Sequence, residues 1–218
     1  MLLRPDQRTK LDDTNDSLFY DQPRFVTHVD EGFIQQLTDL YQERLQPNTH
    51  ILDLMSSWVS HLPAIAFAHV EGHGLNGEEL ARNPRLDHYF VQNLNQEPKL
   101  PLEDQSFDAV LNTVSVQYIQ YPEALFSEIH RVLKPGGIAI ISFSNRMFYQ
   151  KAIQAWRDGS EGDRVKLVEG YFVAVPGFTK PEVVARHSQA PGIMQLLGMG
   201  GGDPFYAVIA QREIRAGD

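Results

Sequence analysis

The stretch "ILDLMSSWVSHLP", Ile51 to Pro63, closes an apolar run with an acid, Asp53, and follows it with Met55, Ser56, Ser57 and Trp58. Two adjacent hydroxyls can donate to a carboxylate, and backbone N–H groups at the start of a helix or turn favour an anion. The indole beside them can wall a pocket or fill one. His28, His61 and His73 have the chemistry of a general base near neutral pH. A second group, "YDQPRFVTH", brings Tyr20, Arg24 and His28 together, and "SFSNR" adds Asn145 and Arg146; arginines there suit an acidic ligand. No histidine pair has metal-ligand spacing, and the absence of cysteine removes thiolate ligands, disulfides and cysteine nucleophiles, so no metal is expected. "GMGGGD", Gly198 to Asp203, lacks the Lys-Ser/Thr of a phosphate-binding loop and reads as a turn into a last strand.

These residues need a frame that brings them to one edge. "HILDLMS", "IAFAHVEGHG", "HYFVQNL", "SFDAVLNTVSV" and "IAIISFS" read as five strands, and "FYAVIAQREI" as a final one. "EGFIQQLTDLYQERL" is a helix behind the cap Asp30, "NGEELARNP" a short helix behind Asn76, and "PEALFSEIHRVLKPGG" a helix opened by Pro122. "SSWVSHLPA" leaves room for a short helix or turn only, and "FYQKAIQAW" reads as helical. Strands alternating with helices imply parallel pairing through right-handed crossovers. The first eighteen residues are polar without periodicity and predict a mobile arm, residues 1–18, ahead of a single domain, 19–218.

Composition narrows the partners. The chain has 218 residues, 42% apolar and 22% charged, with no apolar run of membrane-spanning length, so a soluble, cytoplasmic protein that does not engage a membrane is expected. A formal net charge of −9 with scattered basic residues argues against nucleic acid and for a small molecule. Nothing in the pattern sets an oligomeric state.

The run "LPLEDQSFDAVLNTVSVQYI", continued by "PEALFSEIHRVLKPGGIAIISFSN", resembles the class I S-adenosylmethionine-dependent methyltransferases, particularly methyltransferase type 11. The likeness covers roughly Ile51 to Asn145, and the last strand fits the family's antiparallel seventh. It implies a Rossmann-like, doubly wound α/β fold: a mostly parallel seven-stranded sheet with an antiparallel last strand and helices on both faces. It implies S-adenosylmethionine as cofactor. Asp53 matches the family's acid, whereas Met55, Ser57 and Val59 stand where three glycines are usual. The loop "SSWVSHLP" is similar to that of a plastid and cyanobacterial subgroup of methyltransferase-like proteins.

Carried over by position, Asp53, Met55, Ser56, Ser57 and Trp58 are cofactor candidates. Gly74 stands where a ribose-binding acid is usual, with Asn76 or Glu71 as substitutes. Asn93 and Leu94 match the adenine positions. Asn112 to Tyr118 fall at the carboxyl edge, Asn112 for the cofactor and Gln117 and Tyr118 for the transferred methyl; Tyr20, His28 and Arg146 join Gln117 on the acceptor side. The expected activity is methyl transfer to a small-molecule acceptor. The rival expectation is a non-catalytic methyltransferase-like binding or assembly protein, supported by the missing glycines and ribose acid. A cavity at the ends of the first and fourth strands favours the enzyme, and Trp58 buried across that space favours the rival. A nicotinamide dehydrogenase would need G-x-G-x-x-G after the first strand, and none follows Asp53.

Overall fold

The computed structural model describes residues 2–186 and 202–214. Seven strands form one sheet: β1 (His50–Asp53), β2 (His69–Gly74), β3 (His88–Val91), β4 (Phe107–Thr113), β5 (Leu133–Phe143), β6 (Glu182–Arg186) and β7 (Phe205–Gln211). Their order is β3-β2-β1-β4-β5-β7-β6. The first five pair in parallel, and β7 runs antiparallel to both β5 and β6. The order reverses beside β1, so the carboxyl ends of β1 and β4 flank the crevice where open α/β sheets hold ligands.

Helix α2 (Glu31–Arg44), the second helix after the short α1 (Asp16–Phe19), starts where the Asp30 carboxylate accepts the Phe33 N–H at 2.8 Å. Its buried Phe33, Leu37, Leu40 and Tyr41 recur at helical spacing and pack on Ile51, Leu111, Ile140 and Phe205. The short α3 (Gly77–Ala81) is capped by Asn76, whose Oδ1 accepts the Glu79 N–H. On the opposite face α4 (Pro122–Val132) buries Leu125, Phe126, Ile129 and Val132 against α6 (Glu161–Val173) and the sheet. Pro122 fits the first turn of α4, where its missing N–H leaves no bond unmade.

Several segments differ from their sequence reading. "KPGG" does not end a helix: α4 stops at Val132 and the glycines lie inside the irregular start of β5, where a Cβ on Gly137 would stand 2.9 Å from the Lys134 carbonyl oxygen. "FYQKAIQAW" is largely turns, with helix α5 confined to Gln154–Arg157. "SSWVSHLPA" holds no helix, and most of "GMGGGD" lies outside the described residues.

The segment ahead of residue 19 lies docked on the domain. Leu3 is buried in the cluster of α4 and α6, and Arg8 pairs with Glu123 at 2.6 Å. Lys10 pairs with the buried Asp16 at 2.6 Å, while the fully buried Lys151 ammonium lies 3.1 Å from Asp12 and 3.5 Å from Asp16. Its anchors are single side chains meeting distant partners, so they leave no hydrophobic period to read. Among the described residues no helix is long and apolar enough to cross a membrane, and no group of three or more His, Asp or Glu could hold a metal ion.

Candidate functional site

A cavity of about 290 Å³ opens at the carboxyl ends of β1, β2, β3 and β4, under the segment from Asp16 to Val29. Asp53, at the end of β1, lies on its wall, almost fully buried. Burial raises its carboxyl to about 6, against the opposing effect of hydrogen bonds from Ser56 and Ser60.

The loop after Asp53 keeps the backbone of a glycine turn without the glycines. Met55 holds a left-handed φ of 59° and donates its N–H to His73 Nδ1 at 3.1 Å. His73 Nε2 meets the Gln92 carbonyl at 2.9 Å, so the ring is neutral and carries its proton on Nε2; burial lowers its pKa to about 4. His73 is therefore a strut between loops, not a general base. Ser56 donates to Asp53 and Ser57 to Glu79, both at 2.6 Å. Asn83 Nδ2 reaches the Ser57 carbonyl and the Ser60 hydroxyl. Side-chain hydrogen bonds thus fix a turn that glycines leave to the ligand, and the two serine hydroxyls point at the protein's own acids.

Gly74 contributes by what it lacks. A Cβ there would stand 2.6 Å from the Ser56 carbonyl oxygen, so the glycine that permits close approach has moved from the β1 loop to the end of β2. Trp58 is not on the cavity wall. Its indole donates to the Val26 carbonyl at 3.0 Å and meets Phe25 edge-on, which pins the covering segment from outside.

The other sequence candidates divide into wall and scaffold. Asn76, Asn93 and Leu94 line the cavity. Asn76 Nδ2 holds the Tyr20 and Asp21 carbonyls, and Asn93 caps the Asn95 N–H while touching Asn15. Glu71 lies away from the wall, its carboxylate between His69 and His88. Asn112 is buried behind the wall, its Nδ2 on the Leu54 carbonyl. Gln117 is buried too, tying the Val114 carbonyl at 2.8 Å to that of Arg146 at 3.3 Å. It braces Val114, a β-branched residue at φ 51° on the wall, instead of facing a ligand. Tyr118 does line the cavity, its hydroxyl accepting the Phe148 N–H at 2.8 Å.

Tyr20 and His28 lie on the wall beneath the covering segment, and burial holds the Tyr20 phenol protonated. His28 meets Phe148 edge-on at 5.4 Å. Arg146 sits at the rim with its charge answered by Asp203 at 2.6 Å. Wall residues outside the sequence candidates include Asp16, Glu79 and Phe148, while Ser115 falls within the Asn112 to Tyr118 stretch expected at this edge. Glu79 carried a signal, an acid three residues beyond Asn76, the α3 cap that follows β2; Asp16 lay in the segment read as mobile.

The cavity fits the cofactor that the fold implies. It occupies the crevice at the switch of strand order, and the buried Ser115 hydroxyl on its wall has no partner within the protein. Glu79 supplies a nearly buried carboxylate beside the end of β2, where the usual acid is missing. Each of its oxygens accepts one hydrogen bond and retains capacity for another.

Residues 68–141 match the family profile of the methyltransferase domain. The malonyl-[acyl-carrier protein] O-methyltransferase of Marinomonas sp. is 36% identical over 58 residues, 27% of this chain and 22% of that protein. The matched stretches span between 10% and 25% of the curated relatives' own lengths. Among solved structures, phosphoethanolamine N-methyltransferase 2 of Haemonchus contortus, in complex with S-adenosyl-L-methionine, is 17% identical with a TM-score of 0.54, covering 83% of this chain and 52% of that one. The [4+2]-cyclase SpnF is 18% identical with a TM-score of 0.56, covering 83% and 82%. The central segment, residues 68–141, thus matches the methyltransferase domain in sequence, and the fold around it is similar to that of solved S-adenosylmethionine-dependent methyltransferases.

Proposed function

We propose that the protein is an S-adenosylmethionine-dependent methyltransferase acting on a small-molecule acceptor, in a cytoplasmic setting. The observation that carries the proposal is the cavity itself: the ends of β1 and β4 flank open space, and Trp58 points away from it. When bound, the cofactor would supply a sulfonium methyl that passes to the acceptor's attacking atom, with S-adenosylhomocysteine as the leaving group.

The residues of this chain bind, orient and exclude water. Glu79 would take the ribose hydroxyls, Asn93 and the Leu94 backbone the adenine edge, and Ser115 a polar group of the methionine part. Asp53 acts through the loop it fixes. Tyr118 and Phe148 wall the acceptor side, and alignment of two reactants with exclusion of water is the main contribution such a site makes. No nucleophile from the protein is required. Similarity to an O-methyltransferase makes oxygen acceptors the first to screen.

A specific observation favours the rival, a non-catalytic binding protein: Ser56, Ser57 and Asn93 are all engaged within the protein. Calorimetric titration with S-adenosylmethionine and S-adenosylhomocysteine separates the two. The methyltransferase reading expects micromolar binding, weakened about tenfold by Glu79→Gln or Ser115→Ala through loss of one hydrogen bond. No binding by the wild type would overturn the methyltransferase reading.

A further inference from the structure

Arg24 carries a half-buried charge with one donor unanswered. Its guanidinium lies among three rings, with Cζ 4.7 Å from the centroid of Phe19, 5.6 Å from Tyr20 and 5.4 Å from Phe148. Nη2 donates to the Phe19 carbonyl at 2.9 Å. Nη1 is shut off from solvent and has no hydrogen-bond partner, on a residue that lines the cavity. A desolvated donor of this kind is costly unless something answers it.

The acids nearby are committed elsewhere. One Glu79 oxygen takes the Arg24 backbone N–H at 2.6 Å and the other takes Ser57. Asp16 faces Lys10 and Lys151. Arg146, the other arginine on the wall, is already paired with Asp203, so its charge is not available in the same way. Among its polar residues the wall also carries an apolar and aromatic group, Met147, Phe148, Tyr118 and Ile119, and Phe148 is one of the rings around the Arg24 guanidinium.

We infer that Arg24 is the receptor for a carboxylate on the acceptor, and that the acceptor is a small carboxylic acid with an apolar or aromatic body. This rests on the methyltransferase reading and names its substrate class. The carboxylate would meet Nη1 in a charge-assisted hydrogen bond once the guanidinium turns toward the cavity, and the body would lie along the Phe148 and Tyr118 side. Recognition, not chemistry at the carboxylate, is what Arg24 supplies. The arrangement also excludes: a neutral acceptor of the same shape leaves Nη1 unanswered.

The test is calorimetric titration of the full chain with phenylacetate and decanoate against their amides, with and without S-adenosylhomocysteine. Wild type is expected to prefer each acid over its amide by about tenfold or more. Arg24→Met, which keeps the length of the side chain and removes its charge, is expected to abolish that preference while leaving affinity for S-adenosylhomocysteine within about twofold. Arg24→Gln gives the same readout should the methionine variant fail to fold, and Arg24→Lys is expected to keep part of the preference. Equal binding of acid and amide by wild type, or no binding of either acid at millimolar concentration, overturns the inference. So does an acid preference that survives in the neutral variants, or a loss confined to S-adenosylhomocysteine, which would place Arg24 on the cofactor. Failure of S-adenosylhomocysteine to bind wild type would count against the methyltransferase reading instead, and the acid preference is read independently of it.

Discussion

Ser56 and Gly74 are mutually dependent: the Ser56 carbonyl oxygen lies 2.6 Å from the point where a Cβ of residue 74 would stand, and the Ser56 N–H donates to the neighbouring His73 carbonyl at 2.6 Å. The turn after β1 is therefore seated on the end of β2 by backbone contact. Gly74→Ala would push Ser56 outward and with it the whole loop from Met55 to Ser60. We expect a loss of about 1–3 kcal/mol in urea-unfolding stability and loss of S-adenosylhomocysteine binding. Unchanged affinity would show that the loop's position is immaterial to the cofactor.

Trp58→Ala bears on the opposite question. Because the indole clamps the covering segment through Val26 from outside the cavity, its removal should loosen that segment and weaken ligand binding, with a stability cost of about 1 kcal/mol for the hydrogen bond. An increase in cofactor affinity would mean that the tryptophan obstructs the site.

Asp53 makes stability depend on pH. Its carboxyl is raised to about 6 in the fold and returns to its ordinary, lower value when the chain unfolds. The folded state therefore holds a proton that the unfolded state releases first. The resulting stabilisation is complete below the ordinary carboxylate range and is lost as pH rises through about 6. Over that window wild type should lose about 3 kcal/mol relative to Asp53→Asn, compared by urea midpoints across the range. Parallel profiles for the two proteins would refute the assignment.

Lys151 tests how the segment ahead of residue 19 is held. The ammonium is fully buried between Asp12 and Asp16 and also donates to the Thr14 carbonyl at 2.8 Å. Lys151→Met leaves Asp16 with less counter-charge in a buried setting, for an expected cost of about 3–5 kcal/mol. The segment should then become open to trypsin at Arg8 and Lys10 while the sheet stays protected. Unchanged proteolysis would show that Leu3 and Arg8 suffice to hold it.

Much of the frame is legible in the sequence because it obeys simple periods. Phe33, Leu37, Leu40 and Tyr41 announce α2, Pro122 marks the start of α4, and the apolar runs of β1, β4 and β5 mark buried parallel strands. β6 is less visible because it is an edge strand, and most of its side chains meet solvent. The site was legible in outline only. Asp53, Gly74, Asn93 and Tyr118 can be placed at the carboxyl edge from strand ends alone. Which groups face the cavity depends on pairings between residues far apart in the chain. Arg146 and Asp203 form an ion pair that answers one arginine and leaves Arg24 as the other, and Trp58 turns outward because Val26 offers it a carbonyl.

The covering segment has a kinetic corollary. Asp16, Tyr20, Arg24 and His28 belong at once to the cavity wall and to a stretch fastened down by Asn76, Trp58 and Lys10. A ligand enclosed there can leave only as fast as those fastenings open, so release of product rather than methyl transfer would govern turnover. Rapid mixing should then show a burst of first-turnover product ahead of a slower steady rate, and a linear time course from the first turnover would show that chemistry is the slower step.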